Sequence, residues 1–301
     1  MDPFDGVFSS DQLLELVNEL MPPGKKIPPT KADSVNRLAA LFNSSILKNS
    51  EANIDENLAE ARSWLAVSER DLKASKILYG KGDYGNAMIL LQQATEKLVK
   101  AHFLGFFTKS PKEIRSIGHK SPVAYFDIFE EEWATVLIDL LVPEPHKSKI
   151  NIKGARDEIN YKSEEMAMLS DKQIEAILSI CDVVEKTVKS QRKPIRMLME
   201  NTLNGIVYPL QKDGILDDKQ VERLEYLKKH FRVELVASAS SLYLMSLITF
   251  PHLFYPRYPD GAIKPETYNL EMGIVKNAPG VYKQLNKAIK ELKKYLIVRS
   301  G

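Results

Sequence analysis

Apolar residues recur at steps of three and four along most of this chain, while sustained alternation of Val, Ile and Thr between turn residues is hard to find. The pattern predicts an all-α protein. A short helix is expected from near Ser10 to the Met21-Pro22-Pro23-Gly24 breaker, and a second from a Thr30 cap, with Asp33 in capping-box position, to about Leu47. Residues 48–56 are polar and read as a linker, so residues 1–50 form an amino-terminal helical appendage. Two strong amphipathic patterns follow. One buries Leu58, Ala61, Trp64, Leu65, Leu72 and Leu78; the next buries Ala87, Leu90, Leu91, Ala94, Leu98 and Phe103. Only Gly80-Lys81-Gly82-Asp83 separates them, which predicts an antiparallel αα-hairpin. Beyond a Gly118-His119 turn, helices are expected at about 127–141, 154–169, 171–190 (with Ser170 and Gln173 as a capping box) and 194–210. The longest pattern runs from Asp217 to about Thr249, stopped by Pro251, and a last helix spans about 281–298.

Composition narrows the picture. With 42 Lys plus Arg against 40 Asp plus Glu, the 301-residue chain has a formal charge of +2, so an anionic partner must be held by a local patch. The single cysteine, Cys181, excludes an intrachain disulfide and a cysteine-clustered zinc site, and its apolar helical surroundings make it a small core residue. A reducing cytoplasm fits this usage, and the acidic start MDPFDGVFSSDQ lacks the order of an export signal. The apolar run from Val233 to Phe250 carries Glu234 and several serines, which suits a buried helix better than a membrane span.

One resemblance stands on specific residues. Ala61-Arg62-Ser63-Trp64-Leu65, Glu69-Arg70-Asp71-Leu72-Lys73-Ala74, Gly82-Asp83-Tyr84-Gly85-Asn86-Ala87 and Gln92-Gln93-Ala94-Thr95-Glu96-Lys97-Leu98-Val99-Lys100-Ala101 resemble, in order and spacing, the opening hairpin of HEPN domains. Gly118-His119 stands where the family has a Gly-His turn, and Arg257-Tyr258-Pro259-Asp260 resembles an element that precedes the family's last helix. The resemblance implies a four-helix up-down bundle at 57–300, interrupted by a helical insertion at about 144–213. A second parsing, with one bundle ending near Ser190 and a degenerate one from Ile195, finds no second Gln-Gln-Ala-x-Glu-Lys segment to support it.

The resemblance also frames the candidate chemistry. Some HEPN proteins are metal-independent ribonucleases marked by Arg and, after four to six residues, His; others lack that motif and bind nucleotides or partner a small nucleotidyltransferase. A histidine can move the proton of a ribose 2′-hydroxyl, and a guanidinium can neutralise charge on the phosphate. The formal match here is Arg223 with His230, the candidate catalytic pair, although Leu224 stands where the motif commonly has a polar residue. Arg156 with Tyr161 and Arg115 with His119 are poorer matches. Arg257 and Tyr258 are candidate nucleotide ligands by anion contact and base stacking. Lys283, Lys287, Lys290 and Lys294 line one face of the last helix, with Lys287 and Lys290 as candidate phosphate contacts, and Lys186, Lys189, Arg192, Lys193 and Arg196 form a second basic cluster. The chain has no Gly-rich phosphate loop, nucleophile elbow or His-Glu-x-x-His helix, and no cofactor or metal is expected. The leading expectation is a helical protein binding nucleotide or RNA as a homodimer, for which the resemblance also implies a minimal nucleotidyltransferase as partner in a toxin-antitoxin or defence setting. The alternatives are a ribonuclease using Arg223 and His230, and a non-catalytic interaction scaffold.

Overall fold

The computed structural model describes residues 53–106, 109–118, 166–190, 192, 193, 196, 212, 218–230, 232–257 and 263–297. Among them the protein is all-α, with no strand. The amino-terminal appendage and the helices expected at 127–141 and 194–210, together with most of that at 154–169, lie outside the described residues.

Helix α1 (Ile54–Gly80) and helix α2 (Tyr84–Gly105) form the expected hairpin. Asn53 caps α1 by accepting from the Glu56 N–H at 3.1 Å, and Asp83 caps α2 by accepting from the Asn86 N–H. Between them Gly82 adopts φ +80°, the left-handed conformation a helix end needs when the chain reverses within three residues. A short helix α3 (Pro111–Ser116), which the periodicity did not reveal, starts with a complete capping box in which the Ser110 N–H donates to Glu113 at 2.6 Å. Gly118, at the expected turn, has φ +59°.

Helix α4 (Asp171–Ser190) carries the predicted capping box: the Ser170 N–H donates to Gln173 Oε1 at 2.8 Å and the Gln173 N–H to Ser170 Oγ at 3.4 Å. Although α4 falls in the stretch expected as an insertion, its Ile174, Ile177, Ile180, Cys181, Val184 and Val188 belong to the same continuous apolar core as the hairpin. It packs on the two helices that close the bundle, so it is an integral wall of the domain.

The long pattern from 217 to 249 is two helices, α5 (Asp218–His230) and α6 (Glu234–Thr249). The reason lies in their faces. Glu225, Lys228 and Lys229 of α5 are exposed while Arg223 and Tyr226 are buried, whereas α6 is buried on nearly every side. Burial changes from one face to nearly every side across this junction, and the chain restarts there through turns at Arg232 and Val233. The apolar stretch Glu234–Arg257 is long enough to cross a membrane, and 94% of its apolar 18-residue window is buried inside the bundle. Its hydroxyls are accommodated there by bonding back to their own helix, Ser240 to Val236 at 3.2 Å and Thr249 to Met245 at 2.8 Å.

Three 3₁₀ turns (Phe250–Leu253, Tyr255–Arg257 and Pro265–Thr267) lead to helix α7 (Gly273–Ile297), which starts two turns earlier than predicted and runs through Pro279. Tertiary contacts override the proline signal: Asn277 donates to Asp171 Oδ1 at 2.6 Å, and Lys276 pairs with the same carboxylate. At the other end Arg62 donates two hydrogen bonds, at 2.8 and 3.1 Å, to the Leu296 carbonyl and so caps α7.

His102 on α2 and His252 after α6 are both 1% exposed. Burial pushes each down to about 3, against an ordinary value of 6.5. Both are therefore neutral in the folded state and gain a proton on unfolding below pH 6.5. The stability they confer is complete above that pH and falls as pH drops towards 3, by up to about 1.4 kcal/mol per pH unit for each histidine. Urea midpoints are expected to decline already between pH 6.5 and 5, above the carboxylate range; a flat profile in that window would contradict the assignment.

Candidate functional site

The residues that carry the family resemblance are engaged within the hairpin. Lys97 pairs with Asp71 across α1 and α2, and Lys100 pairs with Glu96 at 2.7 Å, both side chains less than 10% exposed. The Lys100 ammonium also lies 4.9 Å from the centre of the Trp64 ring. Ser68 and Ser75 donate to the Ala94 and Ala87 carbonyls at 2.7 Å each, and Asn57 donates to the Lys109 carbonyl at 2.9 Å. This polar seam fixes the register of the hairpin. It offers a ligand little, because its charges are already spent on one another.

Arg223 and His230 do share one face of α5, but that face looks inward. Arg223 is 1% exposed. His230 is half-buried with its ring 4.5 Å from that of Tyr226, which in turn meets Tyr295 edge-on at 6.0 Å. Tyr295 stacks on Phe106 at the carboxyl end of α2. Arg257 is exposed at the opposite end of the bundle, where the neighbouring Pro256 lies against Gly85 at the start of α2. The rise from Gly85 to Gly105 is about 30 Å at 1.5 Å per residue, so within one chain Arg257 and the α5 pair cannot meet on one phosphate. Tyr258, Arg156, Tyr161 and His119 lie outside the described residues.

The lysine face of α7 is formed as expected, opposite Leu285, Ile289, Leu292 and Leu296, all of them buried. Most of its charges are balanced. Lys287 donates to Asp182 at 3.0 Å and to Glu185 at 2.6 Å, and Lys283 lies 3.5 Å from Asp182. Lys293 reaches Glu69 at 2.9 Å and Lys294 reaches Glu291 at 2.6 Å. Burial raises the Asp182 carboxyl, but hydrogen bonds from Gln284 and Lys287 outweigh it and hold the group below its usual range. Burial likewise lowers Lys287, and the two carboxylates more than reverse this. Lys287 is thus a tie between α7 and α4.

Lys290 differs. It is exposed and forms no ion pair among the described residues. It also stands where three concavities meet: a cavity of about 230 Å³ between α4, α6 and α7, and two shallow grooves of about 520 and 380 Å³ along the seam of α1 and α7. Lys76 of α1 faces the same seam, its ammonium 5.5 Å from the centre of the Tyr282 ring. Nothing in the sequence singled out Lys76, because it is one polar residue on the solvated side of a long helix, and only the antiparallel docking of α7 on α1 brings it to Lys290. Among the described residues no cluster of His, Cys, Asp and Glu could hold a metal ion. Cys181 is wholly buried and its thiol is pushed up to about 12 by burial, which leaves it inert.

The profile described as HEPN domain matches residues 61–139 of the chain. No curated protein and no solved structure matches it. The match takes in the hairpin and α3, the same residues whose order and buried ion pairs define the first half of the bundle. Residues 61–139, with most of the hairpin and α3 among them, are therefore similar to the HEPN domain.

Proposed function

We propose that this protein binds the phosphates of a nucleotide or RNA on the lysine face of α7, with Lys290 as the principal contact. The carrying observation is that Lys290 is exposed and, among the described residues, forms no ion pair at the junction of three concavities, while Lys283, Lys287, Lys293 and Lys294 on the same helix are paired. An ammonium in that position gains a phosphate without first giving up an acidic partner, and binding through it releases counterions from the ligand. The HEPN assignment supports the class of ligand, since such domains are generally nucleotide- or RNA-related. Lys287 supports the site indirectly, by holding α7 on α4. The reading needs neither Arg223 nor His230: a guanidinium that is 1% exposed cannot touch a phosphate unless α5 moves.

The test is fluorescence anisotropy with a labelled single-stranded RNA at low salt. Lys290→Glu is expected to weaken binding by roughly tenfold or more, because it removes an attraction and adds a repulsion. Lys290→Arg should retain it. Equal affinity of the wild type and Lys290→Glu would exclude this surface.

A further inference from the structure

The grooves on the two sides of Lys290 are not equivalent. The cavity between α4, α6 and α7 is lined by Lys189, Lys287 and Lys290 but also by Glu185, Glu234 and Glu291, so a phosphate placed there would meet as many carboxylates as ammonium groups. The seam between α1 and α7 is lined on its first stretch by Lys76, Lys283, Lys287 and Lys290, of which Lys283 and Lys287 are paired with Asp182 and Glu185, and on its second by Lys290, Lys293 and Lys294 with Glu69, where Lys293 pairs with Glu69 and Lys294 with Glu291. The two stretches share Asn286 and Lys290, so they adjoin, and together they border α7 from Pro279 to Lys294. At 1.5 Å per residue that is about 22 Å, room for roughly six nucleotides at a stacked rise of 3.4 Å and about half as many when extended.

The seam lies between two helices packed side by side, whose axes in such contacts are about 8–10 Å apart. Such a furrow admits one strand and not a duplex. Its floor is Tyr282 and Ile289, each 6% exposed, which offers apolar contact but no open ring on which a base could stack. Base identity therefore has little to act on, and the backbone has Lys76 near one end of the seam and Lys290 at its centre. Neither lysine has an ion-pair partner among the described residues.

Resting on the phosphate-binding reading above, we infer that the seam of α1 and α7 is a track for a single nucleic-acid strand several nucleotides long, held by its backbone without sequence preference. The ligand is thus a polymer rather than a mononucleotide. Lys76 is its second contact.

The experiment measures the affinity of the full chain for 5′-labelled oligouridylates of two, four, six, eight and twelve residues, with adenosine monophosphate and a twelve-base-pair RNA duplex as competitors. Affinity is expected to climb steeply up to about six nucleotides and then level off, with the mononucleotide and the duplex competing at least tenfold more weakly than the twelve-mer. Lys76→Glu should cost the eight-mer about tenfold and the dinucleotide much less, and circular dichroism verifies that this surface variant folds. Oligoadenylate should bind within a few-fold of oligouridylate. If adenosine monophosphate competes as well as the twelve-mer, or Lys76→Glu leaves every length unchanged, the track is refuted while phosphate binding at Lys290 stands. If neither oligomer nor mononucleotide binds, both fall.

Discussion

Replacing Lys100 by Met is expected to destabilise the protein by about 3–5 kcal/mol, although it removes only one charge. Lys100 and Glu96 are 8% and 5% exposed and lie 2.7 Å apart, with Trp64 covering the ammonium. Truncating the lysine removes the buried counterion of the Glu96 carboxylate, to which Gln92 also donates at 3.4 Å, and the cost is that of weakening the support of a desolvated charge more than that of losing an attraction. The double variant Glu96→Leu with Lys100→Met should lie within about 1 kcal/mol of the wild type, since two well-packed apolar groups replace a desolvated pair. Urea unfolding of the single and double variants checks both statements. A single variant that loses less than about 1 kcal/mol would mean that water reaches Glu96.

The second large effect is expected at Gly273, the first residue of α7. A Cβ there would sit 2.2 Å from the Leu169 carbonyl oxygen, 2.8 Å from the Ser170 carbonyl carbon and 3.0 Å from the Asp171 nitrogen. All three are backbone atoms at the start of α4, so no side chain can swing aside and the two helix ends must separate. Gly273→Ala should cost about 3 kcal/mol, at the upper end of overpacking penalties. It should also loosen the Asp171 contacts with Lys276 and Asn277 that hold the first turns of α7. Gly80→Ala, where a Cβ meets nothing within 4 Å, provides the contrast and should be near neutral. A thermal melt of the two variants separates the outcomes, and similar losses at both positions would argue against the close approach at Gly273.

The local features of the fold were readable from the chain, and the long-range ones were not. The hairpin followed from its two apolar stripes and the four-residue link, and the capping box at Ser170 and Gln173 from a short motif with its own mechanism. The break at Arg232 was invisible to periodicity because apolar spacing continues through it; what changes is the number of faces that are buried, and only packing sets that. The early start of α7 was hidden by Pro279 and depends on Asp171, more than a hundred residues away. Helix α4 lies where the periodicity predicts it, within the stretch expected as an insertion, and its apolar stripe is part of the common core. Among the site residues, the lysine face of α7 was legible as an amphipathic pattern. The difference between Lys287 and Lys290 was not, since it rests on Asp182 and Glu185 approaching one lysine and leaving the other. Arg223 and His230 met the spacing rule for a shared face, and spacing could not say that this face points into the bundle.

The most direct test of the central claim is the slope of log K against log salt for a single-stranded RNA, measured on the wild type and on Lys290→Glu. Binding by backbone phosphates at Lys290 and Lys76 predicts a slope of about −1.4 or steeper for the wild type, near −0.7 for each phosphate neutralised, and a slope shallower by about 0.7 in the variant. A salt-independent affinity, or identical slopes for the two proteins, would contradict it.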